Sequence, residues 1–142
     1  MLPMRFALPL LLVAALLLAV GIWFARESRW QRPLYCFAVP GQVWGVAPQP
    51  AAAQPTCPDS NTVRSEVRRG DTRIEQFTLP AGETETLLRL MQSAGYAVVS
   101  RKPDDGIQLE AILRKGDDQV MYFAEHHPQS TFVTLTGFGH TD

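Results

Sequence analysis

Glycosylation sequons, catalytic signatures and phosphate-binding loops are all missing from this chain of 142 residues. Its single asparagine, Asn61, is followed by Thr62 and Val63, which excludes N-linked glycosylation at a sequon. No serine stands in a Gly-x-Ser-x-Gly elbow, and no glycine-rich loop opens a helix. Because none of these motifs is present, we expect a protein that is not an enzyme and that needs no cofactor.

An excess of positive charge is also missing. The formal net charge is −1 at pH 7. A protein that grips a nucleic-acid backbone needs a basic face, because each phosphate contact replaces a condensed counterion. We therefore expect no nucleic-acid partner.

Charged side chains are absent from residues 6–25, where the indole of Trp23 is the only hydrogen-bonding side chain. At about 1.5 Å per residue, a helix of this length matches a hydrocarbon core of roughly 30 Å. The sequence predicts a transmembrane anchor over residues 6–25, in contact with membrane lipid, after a flank of residues 1–5. Trp23 and Trp30 are predicted to lie at the membrane interface, because an indole is amphipathic.

A cleaved secretory signal is the alternative interpretation of the same segment. Its apolar region would run from Phe6 to Leu18, and the small residues Ala19 and Gly21 would mark a cleavage site before Ile22. The mature protein would then be secreted. The apolar run continues past that site through Phe24, which favours the anchor.

Cysteine is scarce, and both copies, Cys36 and Cys57, follow the apolar segment. A disulfide between them would close a loop in a proline-rich region and persist only in an oxidising compartment. The pair therefore favours a C-terminal domain outside the cytoplasm, in the cell envelope or periplasm. The arginines that follow the helix favour the opposite topology, and two thiols that never meet are the simpler alternative to the disulfide. Those arginines are Arg26, Arg29 and Arg32.

Residues 26–71 are rich in alanine and in proline, and proline disfavours helix and sheet interiors. We interpret them as a connector between the membrane and a folded domain. Within it, Leu34 to Val39 and Gln42 to Val46 carry aromatic and β-branched residues. These two stretches either pack on the domain or stay exposed as a surface for a partner.

Residues 72–142 have the pattern of a small α+β domain. Thr72 to Leu79 is predicted as a strand that ends at Pro80-Ala81-Gly82. The following segment is predicted as a helix that ends before Gly95, with an apolar face packed on the domain. That face comprises Leu87, Leu88, Leu90 and Met91, of which Leu90 is the candidate for exposure. Glu83 and Glu85 are expected in the first turn, with an i, i+4 pair between Glu85 and Arg89.

The rest of the domain is predicted as antiparallel strands. Alternation in residues 107–113 places Ile107, Leu109, Ala111 and Leu113 on one inward face. A hairpin follows at residues 115–118, and a last strand runs from Thr131 to Phe138 with Val133 and Leu135 inward. The expected fold class is α+β: an N-terminal transmembrane helix, then a small two-layer domain with one helix packed on a mostly antiparallel sheet.

Histidine and aspartate supply the remaining candidates for chemistry. Imidazole is a common metal ligand, but adjacent histidines on a strand point to opposite faces, so we expect no metal site. The histidines are His126, His127 and His140. The pairs Asp104-Asp105 and Asp117-Asp118 are expected to stabilise turns, because Asp side chains accept hydrogen bonds from nearby backbone N–H groups. The cysteines lie on no rigid scaffold that would position a nucleophile.

An anchor, a spacer and a small domain without chemistry favour a binding function. The sequence predicts a single-pass membrane protein whose extracytoplasmic domain binds another envelope protein, as an accessory subunit or an inhibitor. The alternatives are a small-ligand or metal sensor domain, with His126 and His127 as contacts, and a secreted protein with a cleaved signal.

Overall fold

The computed structural model describes residues 4–139, which form two compact units. The first unit is Met1–Arg32 and the second is Pro33–Asp142. Residues 1–3 of the predicted flank and His140 lie outside the described residues.

The first unit contains a single long helix in its described part, α1 (Met4–Trp30). Within Leu8–Trp30, a window of 18 residues has a mean hydropathy of 2.6, and none of that window is buried by the rest of the chain. The predicted apolar helix is therefore confirmed, and it continues without a break through Gly21. A helix of this length and position fits a membrane anchor or a signal sequence.

The second unit is an α+β domain built on a six-strand antiparallel sheet, which confirms the predicted fold class. The strand order is β3-β4-β8-β7-β6-β5, and β1 and β2 form a separate hairpin. The elements, in chain order, are β1 (Gln42–Val43), β2 (Ala47–Pro48), β3 (Gln54–Thr56), α2 (Asn61–Arg69), β4 (Thr72–Pro80), α3 (Thr86–Ser93), β5 (Ala97–Arg101), β6 (Gln108–Lys115), β7 (Asp118–His126) and β8 (Ser130–Phe138).

The four central strands bury one face and leave the other uncovered, as their alternating sequences predict. The covered face contains the core, and Val133 and Leu135 lie in it as expected. We define the covered face by its buried residues: Glu75, Phe77, Leu79, Leu109, Ala111, Leu113, Val120, Tyr122, Ala124, Thr131, Val133 and Leu135.

Ile107 does not follow the predicted alternation. It precedes β6 and is 69% exposed, whereas the alternation predicted it inward. The carboxylate of Asp105 accepts hydrogen bonds from the backbone N–H groups of Ile107 and Gln108, at 2.8 Å each. These bonds fold the chain into a turn, so the strand period begins only after Ile107.

Helix α3 buries its apolar side, with Leu87, Leu88 and Met91 fully enclosed. The helix begins at Thr86 with Glu85 at its N-cap, so Glu83 and Glu85 both lie before its first turn rather than in it. The predicted first-turn positions of these two residues were therefore wrong. The Tyr122 hydroxyl donates to the carbonyl of Thr84 at 2.6 Å, which ties the start of the helix to the covered face.

Residues 33–71 belong to the second compact unit, so the compact unit begins at Pro33 rather than at the expected boundary of residue 72. Strand β3 pairs with β4 and adds an edge to the sheet. The aromatic side chains of Tyr35, Phe37 and Trp44 are buried, which answers the alternative left open by the sequence in favour of packing. Phe37 contacts Phe77 edge to face, with ring centroids 5.3 Å apart.

Helix α2 was not predicted, although the sequence carries both of its end signals. The Ser60 hydroxyl accepts a hydrogen bond from the N–H of Val63 at 3.3 Å, as an N-cap does. Gly70 adopts a left-handed conformation with φ 77°, and its N–H bonds to carbonyls of the last turn. The helix has no buried residue, and for that reason it shows no strong apolar stripe.

Candidate binding face

The uncovered side of the sheet is the candidate functional site. We call it the open face and define it by twelve residues of the four central strands: Ile74, Gln76, Thr78, Glu110, Ile112, Arg114, Met121, Phe123, Glu125, Phe132, Thr134 and Thr136. Not one of these twelve residues is buried. Strand register places them in rows that cross the strands.

Two central rows form the middle of the open face. One row contains Ile112, Met121, Thr136 and Ile74, and the neighbouring row contains Glu110, Phe123, Thr134 and Gln76. Glu110 is the charged member of these rows, and the ammonium of Lys102 pairs with it at 2.5 Å. Apart from this ion pair, the middle of the open face consists of apolar side chains and neutral hydroxyl or amide groups.

A groove of about 510 Å³ lies in the open face. Its floor includes Ile112, Met121 and Phe123, and its polar end includes Ser100, Lys102 and Glu110. This volume falls within the roughly 300–1,000 Å³ of ligand pockets. The groove is a depression in the open face into which an apolar group of a partner can fit.

The exposed large apolar side chains of this region are Met121, which is 58% accessible, and Phe138 at the end of β8, which is 79% accessible. Single exposed apolar side chains are ordinary in soluble domains. Here Met121 adjoins Phe123 and Ile112 in one neighbouring surface. A continuous patch of that kind is typical of a contact site.

The structure joins Cys36 and Cys57 in a disulfide, as the sequence predicts, with Cα atoms 5.8 Å apart. The bond links the start of the compact unit to the residue after β3. Cys36 is buried, and the Cys36 N–H donates to the sulfur of Cys57 at 3.1 Å. The pair holds residues 36–57 against the domain.

A buried polar cluster fastens the β1–β2 hairpin to the covered face. The Trp44 indole donates to the carboxylate of Asp118 at 3.0 Å, and the hydroxyl of Tyr96 donates to the same oxygen at 2.5 Å. Burial, together with the bond to Asp118, raises the pKa of Tyr96. Arg73 stacks over the Trp44 ring at 4.0 Å. We assign this cluster to stability, because it encloses Trp44 instead of surrounding a cavity.

Glu75 is the buried acid of the same region. Its carboxylate accepts the Trp44 N–H at 2.6 Å and pairs with Arg73 at 3.4 Å. Burial raises the pKa of Glu75, while the Trp44 N–H and the Arg73 charge oppose that rise. The backbone of Trp44 has φ 53°, a left-handed conformation that is uncommon for a non-glycine residue. The bond to Glu75 helps to hold that conformation.

The histidines do not form a metal centre within residues 4–139, where no group of three His, Cys, Asp or Glu side chains is placed to hold an ion. His126 instead pairs with Asp104 through its Nε2, at 2.9 Å. The N–H of Gly106 and the His126 ring lower the pKa of Asp104. His127 is exposed and donates its backbone N–H to Ser130.

Asp104 and Asp105 stabilise a turn, as expected, whereas in the second pair Asp117 lies in the turn and Asp118 begins β7. Backbone N–H groups of Gln108 and Ile107 lower the pKa of Asp105. Residues Lys115 and Asp118 are paired in register at the hairpin between β6 and β7, with Gly116 at φ 59° between them. Asp118 also accepts the hydrogen bonds of the Trp44 cluster, a role that its position in the sequence did not indicate.

Several other predicted residues have a defined place. Leu90, the candidate for exposure, is half-buried on α3 and is the least buried member of the predicted apolar face. Glu85 pairs with Arg101 at 2.5 Å, across to β5, whereas the sequence predicted its pair within the helix. Trp23 is exposed on α1, and the interface positions of Trp23 and Trp30 stay predictions.

Sequence reasoning did not identify the open face as a site. A signal was present in β8, where Phe132, Thr134 and Thr136 form an uncharged outer face. Outer faces of solvated strands usually carry charge, so this absence was informative. No protein-family model, curated protein or solved structure matches the chain.

Proposed function

We propose that this protein is a single-pass envelope protein whose disulfide-containing domain lies outside the cytoplasm and binds a protein through the open face. The observation that carries the proposal is the middle of that face, which is uncharged apart from the Glu110–Lys102 pair, adjoins the groove and includes the exposed Met121. Protein contact sites are depleted of charge at their centre and enriched in aromatic residues and methionine. The proposal assigns no reaction to the domain.

The location is supported by two features together. The apolar helix α1 provides the means of attachment, and the Cys36–Cys57 disulfide persists in an oxidising compartment. Labelling of intact cells with a membrane-impermeant maleimide tests the location. We expect labelling of Cys36 and Cys57 only after an external reductant has opened the bond. Labelling that requires cell lysis would contradict an extracytoplasmic domain.

The binding role is tested by photo-crosslinking. A photoreactive amino acid replaces Met121 in the full-length protein, and the matched control carries it at Ile107, which is exposed but outside the open face. We expect a discrete protein adduct in native membranes from position 121 and none from position 107. Equal yields at the two positions, or no adduct at 121, would exclude the open face as a binding site.

A small apolar ligand is a second candidate, because the groove has the volume of a ligand site. A ligand that binds only the folded domain raises the unfolding temperature. We expect such a shift from an apolar compound to disappear in Met121→Asp, which places a charge on the groove floor. A shift that persists in Met121→Asp would place the ligand elsewhere.

A further inference from the structure

The open face has charges at its two ends that cannot pair within one chain. Arg114 lies at one end of β6, and Glu125 lies at the opposite end of the neighbouring strand β7. In register, Arg114 is opposite Gln119, which is six residues from Glu125. At about 3.4 Å per residue, Arg114 and Glu125 are roughly 20 Å apart along the strands.

We propose that the partner of the open face is a second copy of this chain, packed sheet to sheet about a two-fold axis. The inference rests on the proposed function, because it names the protein that the open face binds. The axis runs across the strands, over the row that contains Ala111, Tyr122 and Leu135. A two-fold interface uses the same patch on both copies.

Rotation about this axis reverses the order of the rows along the strands, so that opposite charges on the two copies approach each other. Arg114 lies three residues from the axis on one side, and Gln108 and Glu125 lie three residues from it on the other. The guanidinium of each copy therefore approaches the carboxylate of the other, and the symmetry produces this pair twice. Packed sheets lie about 10 Å apart, a distance that these long side chains can span.

The same axis pairs the exposed apolar residues. Met121 lies opposite Phe123 of the second copy, because each is one residue from the axis on β7. Phe138 lies opposite Phe132 for the same reason on β8, where each is three residues from Leu135. Sulfur–aromatic and aromatic–aromatic contacts of this kind are favourable. Thr136 meets Thr134, and Glu110 meets Ile112, so the middle of the interface brings no like charges together.

The size of the face explains why the membrane matters. Four strands about 4.8 Å apart, each contributing about seven residues, give the open face an area of roughly 450 Å² on each copy. That area is near the lower limit for a specific interface, so the domains alone would associate weakly. Attachment to one bilayer confines both copies and raises their effective concentration.

Photo-crosslinking at Met121 in native membranes also tests the partner. We expect an adduct of twice the chain mass that contains only this protein. An adduct with a different protein would overturn the second-copy inference and leave the proposed function standing. No adduct would overturn both.

Reversing the charges of Arg114 and Glu125 tests the proposed two-fold geometry, with the yield of the double-mass adduct as the measurement. We expect Arg114→Glu and Glu125→Arg each to reduce the yield of the double-mass adduct about tenfold, because each places like charges together twice. The double variant Arg114→Glu/Glu125→Arg restores the opposite pairing and should recover most of the yield. Arg89→Glu, an exposed reversal on α3, is the matched control and should change nothing. A double-mass adduct that is unchanged in both single variants, as association through α1 alone would give, would contradict this interface.

Discussion

The two faces of one sheet differ in what covers them, and the difference separates stability from binding in this domain. The covered face carries a buried acid and large aromatic side chains, and it is enclosed by elements from distant parts of the chain. The open face lies on the same four strands but has not one buried side chain among its twelve residues. Because adjacent strand residues point to opposite faces, substitutions one position apart should have unrelated effects.

The largest effect is expected on the covered face at Trp44. Its ring is enclosed beneath Arg73 and against Gly137, where an added Cβ would lie 2.9 Å from the indole. Trp44→Ala should lower the free energy of unfolding by about 3–5 kcal/mol, because it leaves a cavity and removes one of the two hydrogen-bond donors to Asp118. Urea-dependent proteolysis of the full-length protein measures this change. A loss under 1 kcal/mol would show that the β1–β2 hairpin is not part of the core.

Removal of the disulfide should cause the next largest loss in the free energy of unfolding. Replacement of Cys36 and Cys57 by serine removes a constraint on residues 36–57, and we expect a loss of about 3 kcal/mol. The same urea series, run on the unmodified protein with and without reductant, provides the control. An unchanged midpoint on reduction would mean that packing of Tyr35 and Phe37 alone holds this segment.

The buried acid predicts an unusual pH dependence. Since burial raises the pKa of Glu75 in the folded state, its contribution to stability is present below the ordinary glutamate pKa and is lost as pH rises through the raised value. We expect Glu75→Gln to flatten this part of the stability profile while keeping an acceptor for the Trp44 N–H. Relative to Glu75→Gln, Glu75→Leu should cost about 1–3 kcal/mol at all pH values, because the Trp44 N–H loses its partner and neither variant titrates at this position. A Glu75→Gln profile parallel to that of the unmodified protein would contradict the raised pKa.

The smallest effect is expected on the open face. Met121→Ala should change the free energy of unfolding by no more than about 0.5 kcal/mol, because Met121 is largely exposed. The adjacent substitution Tyr122→Phe removes the bond to Thr84 and should cost about 1 kcal/mol. If Met121→Ala proved the more destabilising of the two, the distinction between the faces would be wrong.

Local patterns in the sequence predicted the parts of the fold that local forces determine. The apolar helix, the period of β8 and the turn at Gly116 all follow from residues close together in the chain. The role of Trp44 did not, because its partners Glu75 and Asp118 lie 31 and 74 residues away. Proline-rich composition also hid the packing of residues 33–71, which depends on contacts made with β4.

The candidate site was the part least visible in the sequence. The outer face of each strand looks ordinary alone, and the uncharged central row of the open face exists only after register aligns Ile112, Met121 and Thr136. Likewise, the separation of Arg114 from Glu125 becomes meaningful only when the strands are side by side. Strand order is a long-range property, and the alternation within a strand does not specify it.

The pairing of Cys36 with Cys57 has a consequence for how the domain matures. In the proposed topology, the chain delivers both thiols to the far side of the membrane before the central strands β4, β6, β7 and β8 arrive. With two cysteines in this chain, a single intramolecular pairing exists. Oxidation therefore has no mispaired isomer within the chain to correct, and an oxidant alone, without a disulfide-shuffling catalyst, suffices to close the bond.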